Sequence, residues 1–215
     1  MEVANSHYSF NLYSIQRDMT PATTASTKTD RVKLPLNFDV AKMQTEVKAL
    51  AEQQFTYYKV IQLRAPAHLV DSSLPFPPPA EDYADGTWTD WLDTAEMNAS
   101  PYLKSIIDYF KAHTRVTLVR LLRLAPKCNV NEHTDPTLAL EVERSVIRLT
   151  IPILTNDKVE FILNNTLVPM ELGECWYLRL SDPHRVINAG ETERVNLTID
   201  MEPNEWIRKM IAEAE

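Results

Sequence analysis

The sequence predicts a mainly β protein of the α+β class, with helices packed on one side of an antiparallel sheet. Two stretches with helical apolar spacing come first, and from residue 115 onward the apolar residues fall into six or seven short β-rich segments. Asparagine, aspartate and glycine separate these segments, a pattern typical of a sandwich or jelly roll. Helices that precede a run of strands fit packing against one face of the sheet.

Composition limits the class of protein. The chain has 215 residues, of which 44% are hydrophobic and 24% charged, as in an ordinary globular domain. A net charge of −8 argues against nucleic acid or an anionic membrane surface as partner. The sequence has no apolar run of about 18 residues and no signal-peptide pattern, so we expect no membrane span. With only two cysteines, we expect a cytoplasmic protein.

The domain organisation follows from a change of composition near residue 30. Residues 1–30 are predicted to be an N-terminal extension, because 20–27 is a polar run of threonine, serine and alanine with one proline. Residues 31–215 are predicted to be a single domain, with its jelly-roll core at about 115–200. The sequence has no glycine-rich phosphate loop, which excludes P-loop and Rossmann nucleotide sites.

Two helices are predicted before the β-rich half and one after it. Asp39 is a suitable N-cap for the first helix. Ser100 and Pro101 have the residue types of an N-cap and first helical position, and this helix should extend to about Ala112. Residues 204–215 are predicted to form a short terminal helix. The apolar stripe of the first helix consists of Val40, Met43, Val47 and Leu50.

The strands are predicted from runs of β-branched and other apolar residues. An early strand is expected at 55–63, before the β-rich half. The first long run of that half is 116–124. Further strands are expected at 145–153, 159–163, 167–170, 174–180, 184–187 and 194–200.

The segment 64–100 interrupts this pattern. It contains the proline-rich run 74–79, which cannot hold regular structure, followed by Trp88 and Trp91. A long loop of this kind is often a lid or a binding loop, which would make Trp88 and Trp91 substrate-binding residues. The alternative is a surface loop stiffened by proline, whose tryptophans pack into the core.

The strongest chemical signal is the segment NEHTDP at 131–136. If it is extended, His133 and Asp135 point to the same face of a strand. A distant histidine would complete the two-histidine, one-carboxylate set that holds non-haem Fe(II) with open positions, and His184 is the candidate. Each histidine alone also fits an ordinary core or surface role, but the ordered set favours a metal site.

Arg194 follows His184 by ten residues, in the run predicted to be the last strand. A guanidinium binds a carboxylate through two parallel hydrogen bonds. Arg194 therefore fits the distal carboxylate of a 2-oxoglutarate co-substrate.

Taken together, these motifs resemble the aspartyl/asparaginyl β-hydroxylase family, and more closely its branch of proline cis-hydroxylases. The resemblance extends over about 34–206. It is carried by the HxD pair, by Arg148 and Arg194, and by the runs IPILTN at 151–156, GECWY at 173–177 and PHRVIN at 183–188.

The resemblance implies a double-stranded β-helix, the cupin-like jelly roll, with Fe(II), 2-oxoglutarate and O2 as reactants. Its implied metal ligands are His133, Asp135 and His184. Arg194 would hold the distal carboxylate of 2-oxoglutarate, and Arg148 would lie near the other end of the co-substrate or near the substrate. The family often has a histidine where this chain has Thr150, so support of the 1-carboxylate would differ here. Since Asp135 is retained, hydroxylation is favoured over halogenation.

The substrate class is open at this stage. A small free amino acid or a related metabolite is favoured, and Arg144 is a candidate for binding its carboxylate, although surface solvation is its commoner role. One alternative is the same chemistry on a peptidyl or carrier-bound residue in natural-product biosynthesis. Another is a cupin-like metal-binding protein that is not an oxygenase. Neither the oligomeric state nor the carbon attacked can be read from the residues.

Overall fold

The computed structural model of the protein describes residues 30–50, 54–77 and 85–215. Apart from Asp30, the predicted N-terminal extension lies outside the described residues. No helix in the described part of the chain is both long and apolar enough to cross a membrane.

Antiparallel strands make up most of the regular secondary structure in the described ranges. In chain order they are β1 (Arg31–Asn37), β2 (Tyr58–Pro66), β3 (Trp91–Asp93), β4 (Val116–Leu124), β5 (Cys128–His133), β6 (Ile147–Leu154), β7 (Val159–Leu163), β8 (Thr166–Leu167), β9 (Glu174–Leu178), β10 (His184–Asn188) and β11 (Arg194–Met201). The larger sheet has the order β1-β9-β6-β11-β4-β2-β3, and the smaller has the order β5-β10-β7-β8. The predicted mainly β architecture is confirmed.

The chain alternates between the two sheets, and this alternation defines the fold. Strands β4, β6, β9 and β11 belong to the large sheet, whereas β5, β7, β8 and β10 belong to the small one. Two four-stranded sheets connected in this way form the double-stranded β-helix that the resemblance implies. The large sheet is extended by β1 at one edge and by β2 and β3 at the other.

The helices are α1 (Val40–Leu50), α2 (Ala67–Val70), α3 (Ala95–Asn98), α4 (Pro101–Lys111) and α5 (Glu205–Ala214). Helices α1, α4 and α5 cover the outer face of the large sheet, whereas the short α2 and α3 lie beside its edge strands β2 and β3. Buried residues of α1, α4 and α5 share one apolar core with alternate residues of β4, β6 and β11. The predicted packing of helices on one side is therefore confirmed, with α5 added to the same layer.

The ends of the predicted helices agree with the structure, but only one of the two predicted N-caps is present. Helix α1 begins after Asp39, whose carboxylate accepts from the backbone N–H of Lys42 at 3.1 Å, as an N-cap does. The side chain of Ser100 makes no such cap. Instead, the carboxylate of Glu46 in α1 accepts from the backbone N–H groups of Tyr102 and Leu103 at 2.7 and 2.9 Å. A distant carboxylate thus satisfies the start of α4 and joins it to α1.

One prediction about the first hundred residues is wrong, and one strand, β1, is not among those predicted. Strand β1 contains Pro35, which is tolerated because β1 is an edge strand. The segment 64–100, expected to lack regular structure, contains the end of β2 and all of α2, β3 and α3. These short elements depend on tertiary pairing, such as that of Trp91 with Pro66, rather than on local propensity.

Candidate metal centre

His133, Asp135 and His184 converge in the structure. One potential ligand atom of each lies within 4.8 Å of the other two, and the group is partly open, since His184 is buried while His133 is exposed. The centroids of the two imidazole rings are 4.2 Å apart. A divalent metal ion bound by these three side chains would keep positions open on its far side.

Strand pairing brings the two histidines together. His133 ends β5, His184 begins β10, and the two residues are direct partners in the sheet. The register shifts between His184 and Val186, and irregularities of this kind re-aim side chains near sites. Asp135 lies outside the strand, because β5 ends at His133. Asp135 is held separately, because its backbone N–H donates to the carbonyl of Leu180 at 2.8 Å.

Backbone carbonyls orient both imidazole rings. The Nδ1 atom of His133 lies 2.8 Å from the carbonyl oxygen of Asn131, and that of His184 lies 2.9 Å from the carbonyl oxygen of Asp182. In the tautomer that donates from Nδ1, the Nε2 lone pair is left for a metal. Burial lowers the pKa of His184, which favours the neutral ring that metals bind. The ring of Phe161 stacks on the His184 ring, with 6.0 Å between the centroids and 10° between the ring planes.

Arg148 connects Asp135 to a second buried carboxylate. Its Nε and Nη2 atoms donate to the two oxygens of Asp200 at 2.6 and 2.8 Å, and its Nη1 donates to Asp135 Oδ2 at 3.2 Å. Although burial opposes the charge, these carboxylates raise the pKa of Arg148. All three nitrogen atoms of this guanidinium therefore donate a hydrogen bond. Because Asp135 accepts through Oδ2, its Oδ1 remains for a metal.

Arg194 is buried, at 5% exposure, and it forms no ion pair with any carboxylate in the described ranges. Burial lowers its pKa to about 10, still well above neutrality, so it remains a cation. Its guanidinium lies 5.9 Å from the ring centroid of Phe161. With the amide of Asn196 turned so that its oxygen faces Arg194 Nη2, that oxygen accepts a hydrogen bond. A buried cation in this state is the kind of group that binds an anion.

One cavity between the two sheets contains the predicted site. The side chains expected at the metal and co-substrate that line it are His133, Asp135, Arg148, Thr150, His184 and Arg194. Thr150 is 3% exposed and lies in the sheet between Thr198 and Trp176, its direct partners in β11 and β9. The donor set fits a divalent iron, and the unpaired Arg194 fits the carboxylate of an anionic co-substrate in the same cavity.

The structure does not bring Trp88, Trp91 and Arg144 to this cavity. Trp91 donates from its indole nitrogen to the carbonyl of Gly86 at 2.8 Å, and the Trp88 and Trp91 rings meet edge to face at 5.9 Å. Arg144 is largely exposed and pairs with Asp85 at 3.3 Å. These contacts hold the two tryptophans in a half-buried surface segment outside the cavity, and neither belongs to an apolar core cluster.

Three residues near the cavity have no assigned role in the sequence-based prediction. Tyr58 lines the cavity, and burial raises its phenol pKa. Asp200 holds Arg148, and Arg120 approaches Asp200 from β4 with Nη2 to Oδ2 at 3.7 Å. The one available signal is the alternation RVNLTIDM of β11, in which Arg194, Asn196, Thr198 and Asp200 occupy every second position. A polar face on a wholly buried strand indicates a binding surface.

Comparison with known proteins gives a consistent result. The sequence model of the family described as Aspartyl/Asparaginyl beta-hydroxylase matches residues 83–203. An L-proline cis-4-hydroxylase of Rhizobium meliloti (strain 1021) is 26% identical over 123 residues, which are 55% of this chain and 43% of the relative. An L-proline cis-3-hydroxylase 2 of a Streptomyces species is 30% identical over 110 residues, or 50% of this chain and 37% of the relative. The matches thus span less than half the length of these relatives.

Solved structures support the fold. An oxidoreductase of the 2OG-Fe(II) oxygenase family from Burkholderia pseudomallei aligns over 81% of this chain and 85% of its own, with a TM-score of 0.52 and 15% identity. The carbocyclase SnoK from nogalamycin biosynthesis, described as non-heme and alpha-ketoglutarate dependent, aligns over 80% of this chain and 79% of its own, with a TM-score of 0.52 and 10% identity. The family match covers more than half of the chain, and we conclude that this protein belongs to the aspartyl/asparaginyl β-hydroxylase family.

Proposed function

We propose that this protein is an Fe(II)- and 2-oxoglutarate-dependent dioxygenase that hydroxylates an unactivated C–H bond of a small amino acid or an amino-acid-derived metabolite. In this reaction one oxygen atom of O2 enters the substrate as hydroxyl and the other enters succinate, while 2-oxoglutarate loses CO2. The observation that carries the proposal is the shared cavity, in which the His133, Asp135 and His184 cluster faces the buried, unpaired Arg194.

Each side chain would have a separate task. The two Nε2 atoms and Asp135 would hold the iron, which supplies the oxidation of the C–H bond when it is bound with its co-substrate. Arg194 would bind the distal carboxylate of 2-oxoglutarate by charge-assisted hydrogen bonds. Arg148, which is itself held by Asp200, would keep the Asp135 carboxylate in place by a direct hydrogen bond. Thr150, at the position often occupied by histidine in the family, offers a hydroxyl to the co-substrate but no charge.

The relatives support the choice of substrate class. Both are named as hydroxylases of L-proline, a free amino acid. We therefore take free amino acids, with L-proline first, as the substrates to test. A peptidyl or carrier-bound residue is the alternative that shares the same cavity chemistry.

The first experiment tests the co-substrate site. The purified protein is mixed anaerobically with Fe(II) and 2-oxoglutarate, and the weak visible charge-transfer band of the chelate is recorded. We expect the band to appear in the wild-type protein and to be lost in His184→Ala. After O2 is admitted, a panel of amino acids is screened for succinate. If metal is bound and no band forms, the protein is a cupin-like metal-binding protein and the dioxygenase proposal is wrong.

A further inference from the structure

Arg194 lies between two cavities rather than at the end of one. The first is the cavity that contains the candidate metal centre. Arg194, Phe161 and Asn196 line this cavity and also a second, smaller one between the two sheets. The other residues of the second cavity, which we call the distal cavity, are Pro152, Thr155, Val159, Val168 and Met170.

The distal cavity reaches the protein surface. Thr155 is exposed and Val159 is half-buried, whereas Val168 is buried. The cavity has room for at least one water molecule, and a methylene group needs no more space than that. Among its described lining residues only Arg194 is charged. An anionic group that enters the distal cavity would therefore meet the same guanidinium that faces the metal centre.

Most donors of the Arg194 guanidinium remain available to a ligand. Within the described ranges, its hydrogen-bond partner is the amide oxygen of Asn196, which faces Nη2. A guanidinium has five N–H donors in one plane, so the others are left for a carboxylate. Because Arg194 lines both cavities, we expect a carboxylate to reach it from the metal centre or, on a longer chain, from the distal cavity.

The distal cavity changes how strictly the site measures the length of its co-substrate. In a closed pocket an additional methylene has no space, and ligands that differ by one methylene are distinguished by about 10- to 200-fold. The space around Arg194 is not closed, because the distal cavity continues beyond it. A longer acid can place its additional methylene there without displacing core side chains.

We propose that the co-substrate site accepts 2-oxo acids of two lengths, 2-oxoglutarate and its next homologue 2-oxoadipate, and that Thr155 and Val159 at the distal cavity set the upper limit. This inference rests on the proposed dioxygenase function and concerns the co-substrate of the same site. With 2-oxoadipate, one oxygen atom of O2 enters the organic substrate as hydroxyl, the other enters glutarate, and CO2 is released. The distal carboxylate of the longer acid would bind Arg194 from the distal cavity.

The test compares the two acids in anaerobic titrations that need no organic substrate. The purified protein is loaded with Fe(II), and the charge-transfer band is recorded against increasing 2-oxoglutarate or 2-oxoadipate. We expect both acids to give the band, with dissociation constants within about fivefold of each other, because the distal cavity takes the additional methylene. A larger preference for 2-oxoglutarate would overturn the inference.

A variant that fills the distal cavity assigns the effect to this space. Thr155→Phe places a ring at its exposed rim, where the fold should tolerate it. We expect the affinity for 2-oxoglutarate to stay within about twofold of the wild type and that for 2-oxoadipate to weaken by at least about 10-fold. Val159→Phe fills the same cavity from β7 and should give the same pattern, also if Thr155→Phe does not fold. Thr166→Phe adds the same ring at an exposed position outside the lining of both cavities, and it should bind both acids as the wild type does.

The remaining outcomes are distinct from one another. If Thr155→Phe weakens both acids equally, the carboxylate of 2-oxoglutarate already occupies the distal cavity, and the inference is overturned. If neither filling variant weakens 2-oxoadipate, the longer acid binds elsewhere, and the role of the distal cavity is refuted. If the wild type binds Fe(II) but gives no band with either acid, the dioxygenase proposal itself has failed, which is a different result from these two.

Discussion

The two faces of the large sheet differ in chemistry although both are buried. On β11, Val195, Leu197, Ile199 and Met201 face the helices, whereas Arg194, Asn196, Thr198 and Asp200 face the small sheet, and all eight are buried. The same division occurs on β6, where Ile147 and Leu149 face outward and Arg148 and Thr150 face inward.

Within a single strand, the outward residues therefore stabilise the fold and the inward residues are available for binding. Apolar side chains on the outer face gain free energy by leaving water. Burying the polar side chains of the inner face costs free energy unless they form hydrogen bonds or ion pairs. Such a face is therefore expected where the strand binds a ligand. Four experiments test the comparison, taken in the order of their expected effect on ligand binding at the inner face.

The largest effect is expected from loss of a candidate metal ligand. Replacing His133, Asp135 or His184 by alanine leaves two protein ligands, and we expect Fe(II)-dependent succinate release to fall by at least about 1,000-fold. His113→Ala is the matched control, since His113 stacks on Trp206 in the outer layer at 4.4 Å. Full activity in any of the three variants would refute the ligand assignment for that residue.

A smaller effect is expected for the candidate co-substrate anchor. Arg194→Ala removes a buried charge partner, a loss of about 2–5 kcal/mol, which is roughly a 30- to 4,000-fold weaker affinity for 2-oxoglutarate. Titration of the charge-transfer band measures this affinity. Arg208→Ala, on the exposed side of α5, should leave it unchanged. If the two variants behave alike, another residue binds the distal carboxylate.

The Asp200–Arg148–Asp135 chain should have an intermediate effect. Asp200→Asn removes the charge that holds Arg148, so Asp135 becomes less well positioned, and Fe(II) affinity should weaken by about 10- to 100-fold. Metal titration in the absence of substrate measures this. The exposed Asp108, paired with lysines on α4, provides the control Asp108→Asn. An unaltered Fe(II) affinity in Asp200→Asn would limit Arg148 to a purely structural ion pair.

The smallest effect on the site is expected from the outer face of the same strand. Leu197→Ala should destabilise the fold by about 2–5 kcal/mol, because it creates a cavity in the apolar core. At a temperature where the variant stays folded, its 2-oxoglutarate affinity should match the wild type. Leu167→Ala, at 52% exposure, should cost less than about 0.5 kcal/mol of stability. Chemical denaturation and band titration together make the comparison, and a strong loss of affinity in Leu197→Ala would show that the two faces are not separable.

The local sequence was sufficient to predict elements and sites whose residues follow a regular spacing. The spacing of Val40, Met43 and Val47 predicts α1, and the apolar run of β4 predicts that strand with its observed ends. The HxD pair and His184 predict the cluster that the structure brings together. In each case the pattern follows directly from the geometry of a helix, a strand or a metal site.

The contacts that these residues make depend on partners that are distant in the chain. Glu46 caps α4 in place of Ser100, and Asp135 is held by Leu180 rather than by its own strand, because partners distant in the chain compete with local ones. The sequence places Arg120, Arg148 and Arg194 on predicted strands, but it does not show which carboxylates they contact. Strand register places Asp200 against Arg148, leaves Arg120 loosely engaged and leaves Arg194 unpaired. The sequence was therefore enough to name Arg148 and Arg194 as candidate site residues, but the ion pairs of each guanidinium follow from strand register, because the availability of a charge depends on its neighbours in space.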